Sequence, residues 1–252
     1  MDLSLQGKRA IVTGGGVGIG KEIVAELSRA GARVAATYLT HRPDAEFLDS
    51  CAADSGAEVL CESLDATDEQ SVIATVRGFC EAMGGVDILV NNAGGLIQRV
   101  DTADMTLDHW RKVQAVNMES AFLVTREALK YMADGGRIIN VASLAGRNGG
   151  SNGSTAYATS KSAMFGFTRG LAKEVASRAI TVNAVAPGLI LETPFHDTFT
   201  PPEAQLTAIQ NIALKRAGVP SDVAGPVLWL ASAHASFVTG AIIDINGGQY
   251  FA

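Results

Sequence analysis

Ala10-Ile11-Val12-Thr13-Gly14-Gly15-Gly16-Val17-Gly18-Ile19-Gly20 runs from an apolar stretch into a glycine-rich turn, and Lys21-Glu22-Ile23-Val24-Ala25-Glu26-Leu27 follows with helical apolar spacing. The apolar stretch reads as a buried strand. Strand, glycine turn and helix in that order make a phosphate-binding geometry. Glycines let the main chain approach a pyrophosphate, and the helix N-terminus supplies free N–H groups and a partial positive charge. The spacing Gly14-xxx-Gly18-x-Gly20 departs from the common G-x-G-x-x-G, and the absence of a Lys-Ser/Thr pair after the glycines excludes the Walker phosphate loop. A merely flexible turn would carry the same glycines, so the reading needs a second feature.

Downstream, short apolar runs alternate with helical patterns, the signature of a parallel sheet covered on both faces. Candidate strands fall at 9–13, 33–38, 58–62, 88–91, 136–141, 181–186 and 241–245, with helical patterns at 69–83, 107–131 and 157–176 among those between them. The pattern predicts an α/β chain: a single-domain Rossmann fold over 1–252, with a doubly wound, seven-stranded parallel sheet and helices on both faces. No linker, repeat or low-complexity segment divides it. The longest irregular stretch is about 188–202, where Pro194 and the Pro201-Pro202 pair disfavour continuous helix. Such a stretch reads as a substrate lid.

The second feature is Tyr157-Ala158-Thr159-Ser160-Lys161, with Ser143 fourteen residues upstream. A tyrosine and a lysine four apart share one helix face. An ammonium beside a phenol stabilises the phenolate, so the tyrosine is expected to titrate below its usual value of about 10. Such a phenol can exchange a proton with an alcohol or a carbonyl oxygen.

Composition excludes several classes. Hydrophobic residues make up 47% and charged residues 18% of the 252, enough for a large core. A net charge of −6 does not suggest a nucleic-acid or anionic-membrane surface. No apolar run approaches the ~20 residues of a membrane span, and the N-terminus lacks a signal-peptide core. Cys51, Cys61 and Cys80 lack metal-like spacing and read as reduced thiols in a cytoplasm. His41, His109, His196 and His234 are scattered, so no metal site is expected.

Taken together, the chain resembles the classical short-chain dehydrogenase/reductase family from about residue 5 to 248. The resemblance rests on the 13–20 turn, Asp65 after an apolar stretch, Asn91-Asn92-Ala93-Gly94, Asn117, Ser143, Tyr157 with Lys161, and Pro187-Gly188, in that order. It implies an NAD(P)H-dependent oxidoreductase that interconverts a carbonyl and a secondary alcohol, commonly as a homotetramer. Tyr157 would be general acid in reduction and base in oxidation. Lys161 would lower its pKa and hold the nicotinamide ribose, Ser143 would hold the substrate oxygen, and Asn117 would complete a proton relay through a water. Gly14, Gly16, Val17, Gly18, Ile19 and Gly20 would cradle the pyrophosphate. Asp65 with Ala66 would meet the adenine, and Asn91, Ala93 and Gly94 the adenosine ribose. Pro187, Gly188, Ile190 and Thr193 would face the nicotinamide, although relatives commonly place that threonine one residue earlier.

The end of the second strand decides between NAD and NADP. Tyr38 stands where an Asp would bind the ribose 2′-hydroxyl of NAD, and no acidic residue follows until Asp44. His41 and Arg42 can meet a 2′-phosphate. NADP(H) is therefore favoured and NAD(H) left open, since Val17 stands where many NADP-dependent relatives carry a basic residue. Gln98, Arg99, Arg147, Asn148, Ser151, Asn152 and His196 fall where substrate-facing loops are expected. They suggest a small polar substrate, such as a keto sugar or a keto-uronate whose carboxylate pairs with Arg99 or Arg147. The chain is also similar to 3-oxoacyl-(acyl carrier protein) reductases, which supply an alternative substrate class. A non-catalytic NAD(P)-binding regulatory protein is the alternative of another kind, but such a chain would usually lack part of the Ser–Tyr–Lys set.

Overall fold

The computed structural model describes residues 2–252. Its strands are β1 (Arg9–Val12), β2 (Arg33–Tyr38), β3 (Leu60–Ser63), β4 (Val86–Asn91), β5 (Met132–Val141), β6 (Thr181–Pro187) and β7 (Ile242–Ile245). They form one seven-stranded sheet in the order β3-β2-β1-β4-β5-β6-β7, parallel throughout. The helices are α1 (Gly18–Arg29), α2 (Ala45–Ser55), α3 (Glu69–Met83), α4 (Leu107–Gln114), α5 (Ser120–Ala128), α6 (Ala145–Asn148), α7 (Thr155–Glu174), α8 (Pro194–Phe199), α9 (Pro202–Asn211) and α10 (Pro220–Ala231).

Alternation along the strands divides the core in two. Ala10, Val12, Val34, Ala36, Ile88 and Val90 pack with α1 and α10 on one face. Ile11, Ala35, Leu89, Ile138 and Val182 pack with α3, α5 and α7 on the other. Both faces are covered, so the central strands are apolar at nearly every position. Helix α3 shows how local sequence sets an element. Val72, Val76, Phe79, Cys80 and Met83 make its buried stripe, Asp68 caps it by accepting from the Ser71 amide at 3.1 Å, and Gly84 ends it in the left-handed region at φ 79°. Asp68→Ala is expected to destabilise the helix start, read as a lowered denaturant midpoint with unchanged slope.

Several boundaries differ from the sequence reading, and four departures have a clear physical cause. The strand expected at 58–62 lies at Leu60–Ser63, because pairing with β2 begins only at Ala35 opposite Leu60. Strand β5 starts four residues early, where Met132 pairs with Val86 across a register shift. The continuous helix expected over 107–131 is broken by a π-turn at Ala115–Glu119 and ends at Ala128. Inside the turn the Asn117 amide donates to the Val113 carbonyl at 2.9 Å and the Gly95 carbonyl at 2.8 Å, which draws the chain off regular helix. The stretch at 188–202, expected to be an irregular lid, is not irregular either. Pro194 and Pro202 sit in the first turns of α8 and α9, where the missing N–H costs nothing, so the prolines start helices there.

Candidate active site

Strand order reverses direction between β1 and β4, the switch point where doubly wound sheets bind ligands beyond the carboxyl ends of the strands. Thr13 fastens this point: its hydroxyl accepts from the amides of Asn92 and Ala93, each at 3.0 Å. The Asn92 side chain answers by donating to the carbonyls of Thr13 and Gly14, both at 3.0 Å. From the β2 side, Thr37 holds the turn through Gly14 N–H to its hydroxyl (3.2 Å) and Gly15 N–H to its carbonyl (2.7 Å).

The turn is therefore a rigid cradle. A Cβ at Gly20 would overlap the Gly14 carbonyl oxygen, and one at Gly16 would overlap the carbonyl oxygen of His41. Helix α1 begins with no side-chain cap and no acidic residue in its first turn, so its leading N–H groups face the cleft uncompensated. These features fit a dinucleotide pyrophosphate. Gly20→Ala is expected to force the turn apart, lowering both thermal midpoint and dinucleotide affinity, measured by unfolding with and without cofactor.

One continuous cleft of about 1050 Å³ runs from this cradle to the lid. Gly14, Gly16, Val17, Gly18, Ile19 and Gly20 line it, as do Tyr38, His41, Asp65, Ala66, Ala93 and Gly94. So do Pro187, Gly188, Ile190 and Thr193, together with Ser143, Tyr157 and Lys161. Asp65 serves two ends at once: one carboxylate oxygen accepts from the Thr67 amide (2.9 Å) and hydroxyl (2.7 Å), while the residue faces the cleft. The Thr193 hydroxyl donates to the Ile190 carbonyl at 2.9 Å, so its hydrogen is already committed.

Several expected residues stand elsewhere. Arg42 is exposed and lies outside the cleft, in a groove with Glu58, Cys61 and Glu62 on the far side of β3, because the chain turns away after His41. Arg147 does not line the cleft. It donates to Asp244 at 3.1 and 3.2 Å and to the Ile242 carbonyl, and stacks on the Phe165 ring at 4.8 Å, so it fastens α6 to β7. Arg147→Ala is expected to lower the thermal midpoint and leave the substrate Michaelis constant unchanged. Asn91 is buried within the sheet, donating to Thr125 and Asn140 at 2.8 Å each, and Asn92 takes its place at the cleft wall. Asn117 is fully buried behind the wall, where it donates to the Gly95 carbonyl and accepts from the Gly95 amide at 3.0 Å. It fixes the shape of the Gly94–Gly95 loop against Lys161.

Electrostatics at the centre also departs from expectation. Burial pushes the Tyr157 phenol up to about 12, opposed by its hydrogen bond with Ser143. Burial pushes the Lys161 ammonium down to about 8. The expected lowering of the phenol by the lysine does not appear, because the ammonium donates to the Val141 carbonyl at 2.8 Å and stands 5.7 Å from the phenol ring centre. Loss of solvation thus sets the direction of both shifts.

At the lid end, Asn148 and His196 line the cleft as expected. Burial, with the charge of Arg99 adding to it, holds His196 down at about 4, so the imidazole is neutral near pH 7. Arg99 donates twice to the Phe199 carbonyl (3.2 and 3.1 Å) and to the Ser151 hydroxyl and Asn152 carbonyl (2.7 and 3.1 Å). It joins the lid to the loop before α7 and has no carboxylate partner among the described residues. Phe195, Phe199 and Leu96 line the same end, which makes it more apolar than the sequence suggests. The two phenylalanines are four apart on α8, a spacing hidden in the sequence by the prolines around it.

A glycine cradle at a switch point, continuous with a buried Ser–Tyr–Lys cluster, defines a nicotinamide dinucleotide-dependent oxidoreductase. Residues 15–249 match the family model described as enoyl-(acyl carrier protein) reductase. The chain is 42% identical to a 3-oxoacyl-[acyl-carrier-protein] reductase of Pseudomonas aeruginosa, over 99% of this chain and 100% of that one. A short-chain dehydrogenase/reductase from Serratia marcescens is 38% identical and superposes with a TM-score of 0.88, covering 97% of this chain and 98% of the other. A blue fluorescent protein from a metagenomic library, solved with NADPH, is 35% identical with a TM-score of 0.88, over 98% and 100% of the two chains. The protein belongs to the short-chain dehydrogenase/reductase family and acts on carbonyl and CH–OH groups. No helix among the described residues is long and apolar enough to cross a membrane.

Proposed function

We propose that the protein is an NADPH-dependent reductase of a small polar carbonyl compound bearing an anionic group, with a keto-uronate as the model substrate. The observation that carries this reading is Arg99, a guanidinium on the wall of the catalytic cleft with no carboxylate to neutralise it. Four of its five N–H donors go to Phe199, Ser151 and Asn152, so it offers a substrate carboxylate its charge and one remaining donor.

The bound nicotinamide supplies the hydride. Ser143 and Tyr157 hold the substrate oxygen between them, and the Tyr157 phenol delivers the proton to that oxygen as it gains charge. Lys161 offers a cation behind the phenol, and Asn117 keeps the loop beside Lys161 in place. The cleft end of β2 carries no acidic side chain, and Tyr38, Thr40 and His41 line it, with the Thr40 hydroxyl 2.7 Å from the imidazole. That composition supports the 2′-phosphate of NADPH over the free hydroxyls of NADH. The NADPH complex of the metagenomic relative agrees with it.

A second reading is reduction of a 3-oxoacyl thioester. The Pseudomonas relative's name and the apolar Phe195, Phe199 and Leu96 favour it. The deciding assay follows nicotinamide absorbance with NADPH and NADH over keto-uronates, neutral keto sugars and a 3-oxoacyl thioester. Preference for the keto-uronate supports the first reading, and turnover of the thioester alone replaces it with the second.

The subunit is proposed to assemble as a homotetramer. Edge strand β7 pairs only with β6, and Leu214 and Phe251 beside it are exposed. Light scattering at micromolar concentration giving a monomer mass would reject this assembly.

A further inference from the structure

We propose that Phe195 sets the width of the slot for the reacting carbonyl, its ring lying against the carbon skeleton next to the carbonyl carbon. This rests on the assignment of Ser143 and Tyr157 as the carbonyl-binding pair and holds for either substrate class above. The Phe195 ring stands 5.6 Å from the Tyr157 ring, tilted by 40°, which is contact distance for two aromatic rings. A carbonyl oxygen that reaches the Tyr157 hydroxyl must therefore carry one of its two substituents past the Phe195 ring.

The ring serves no core. Helix α8 buries none of its six residues, yet it carries Phe195 and Phe199 on the cleft side, their rings 5.3 Å apart. Phe195 also meets the His196 ring edge-on at 5.0 Å. A half-buried aromatic cluster on a cleft wall gains hydrophobic stabilisation when apolar surface covers it. The C–H face of a sugar acid and the first carbons of an acyl chain both supply such surface.

The cluster is also held in place. Arg99 grips the Phe199 carbonyl at the end of α8. At its start, a Cβ placed on Gly18 would lie 3.3 Å from Thr193 and 3.5 Å from Pro194, so the lid rests close against the glycine turn. Phe195 is thus presented on a fixed wall, and its size converts directly into slot width.

Phe195→Ala and Phe195→Leu test the idea on pairs of carbonyl substrates that differ only in the bulk of one substituent. In Phe195→Ala, kcat/KM for the bulky member relative to the small one is expected to rise about tenfold. The small substrate's KM should rise, NADPH affinity by cofactor fluorescence should stay within about twofold of the parent, and the leucine variant should fall between. Phe195→Leu keeps an apolar side chain of intermediate size and carries the measurement if the alanine variant does not fold. An unchanged selectivity ratio, or an NADPH affinity that falls as far as substrate affinity, overturns the proposal. The ratio can be read on any carbonyl the enzyme turns over. Failure of the keto-uronate assignment would therefore show as absent keto-uronate turnover with the bulk dependence intact.

Discussion

Tyr157→Phe is expected to retain native NADPH affinity and lose turnover by about 10³-fold or more. The substitution removes one oxygen and nothing else. The ring keeps its place beside Phe195 and in the helix, so no cavity opens and the thermal midpoint should scarcely move. What disappears is the donor that shares a hydrogen bond with Ser143 and faces the cleft. Neither Ser143, whose oxygen also accepts from the Ala145 amide at 3.1 Å, nor Lys161, turned to the Val141 carbonyl, can substitute for it.

The pH dependence has a definite sign. Reduction needs the protonated phenol, and burial raises the phenol to about 12, so in the cleft as it stands the acid form dominates across the working range. Oxidation needs the phenolate, and its rate should climb about tenfold per pH unit below that pKa. Charge on Lys161, whose own value is pushed down to about 8, is lost as pH rises through that point. Turnover by the phenylalanine variant within tenfold of the parent, or an oxidation rate independent of pH, would remove Tyr157 from the proton-transfer role.

Why some of this was legible in the sequence, and some not, follows from how far each signal reaches. The sheet was legible because fully buried parallel strands are nearly continuous apolar runs, and β2 at Arg33–Tyr38 matches the expected bounds at both ends. Helix α3 matches too, since cap, stripe and terminal glycine are all local. The π-turn was not legible, because it depends on Asn117 reaching Gly95, which lies 22 residues away. Among the site residues, main-chain cradles read well, since a glycine turn has few uses. Isolated charges read badly. Arg99 and Arg147 look alike as letters. One lines the cleft without a carboxylate and the other is neutralised by Asp244, 97 residues further on. Arg42 likewise follows His41 directly, yet the backbone carries it past the cleft edge. The Tyr–Lys spacing predicted proximity correctly but could not report burial, and burial decides the direction of both shifts.

Arg99→Ala is expected to raise KM for a keto-uronate by roughly 10–100-fold, the equivalent of one charge-assisted hydrogen bond of about 1.5–3 kcal/mol. The variant does two things at once. It deletes the cation facing the cleft, and it releases the Phe199 carbonyl and the Ser151–Asn152 loop from their common donor. Loosening of the lid should weaken every substrate alike, whereas loss of the charge should weaken only an anionic one. The informative quantity is therefore the ratio of kcat/KM for a keto-uronate to that for the matching neutral keto sugar, in which the common lid effect cancels. A fall in that ratio assigns Arg99 to carboxylate recognition. Arg99→Lys sharpens the comparison: an ammonium restores charge but cannot bridge Phe199 and Ser151 as the planar fork does. It should recover part of the ratio while leaving overall kcat/KM low. An unchanged ratio in both variants would mean that Arg99 serves the lid alone, and the anionic substrate would lose the one arginine among the described residues that lines the cleft without a carboxylate.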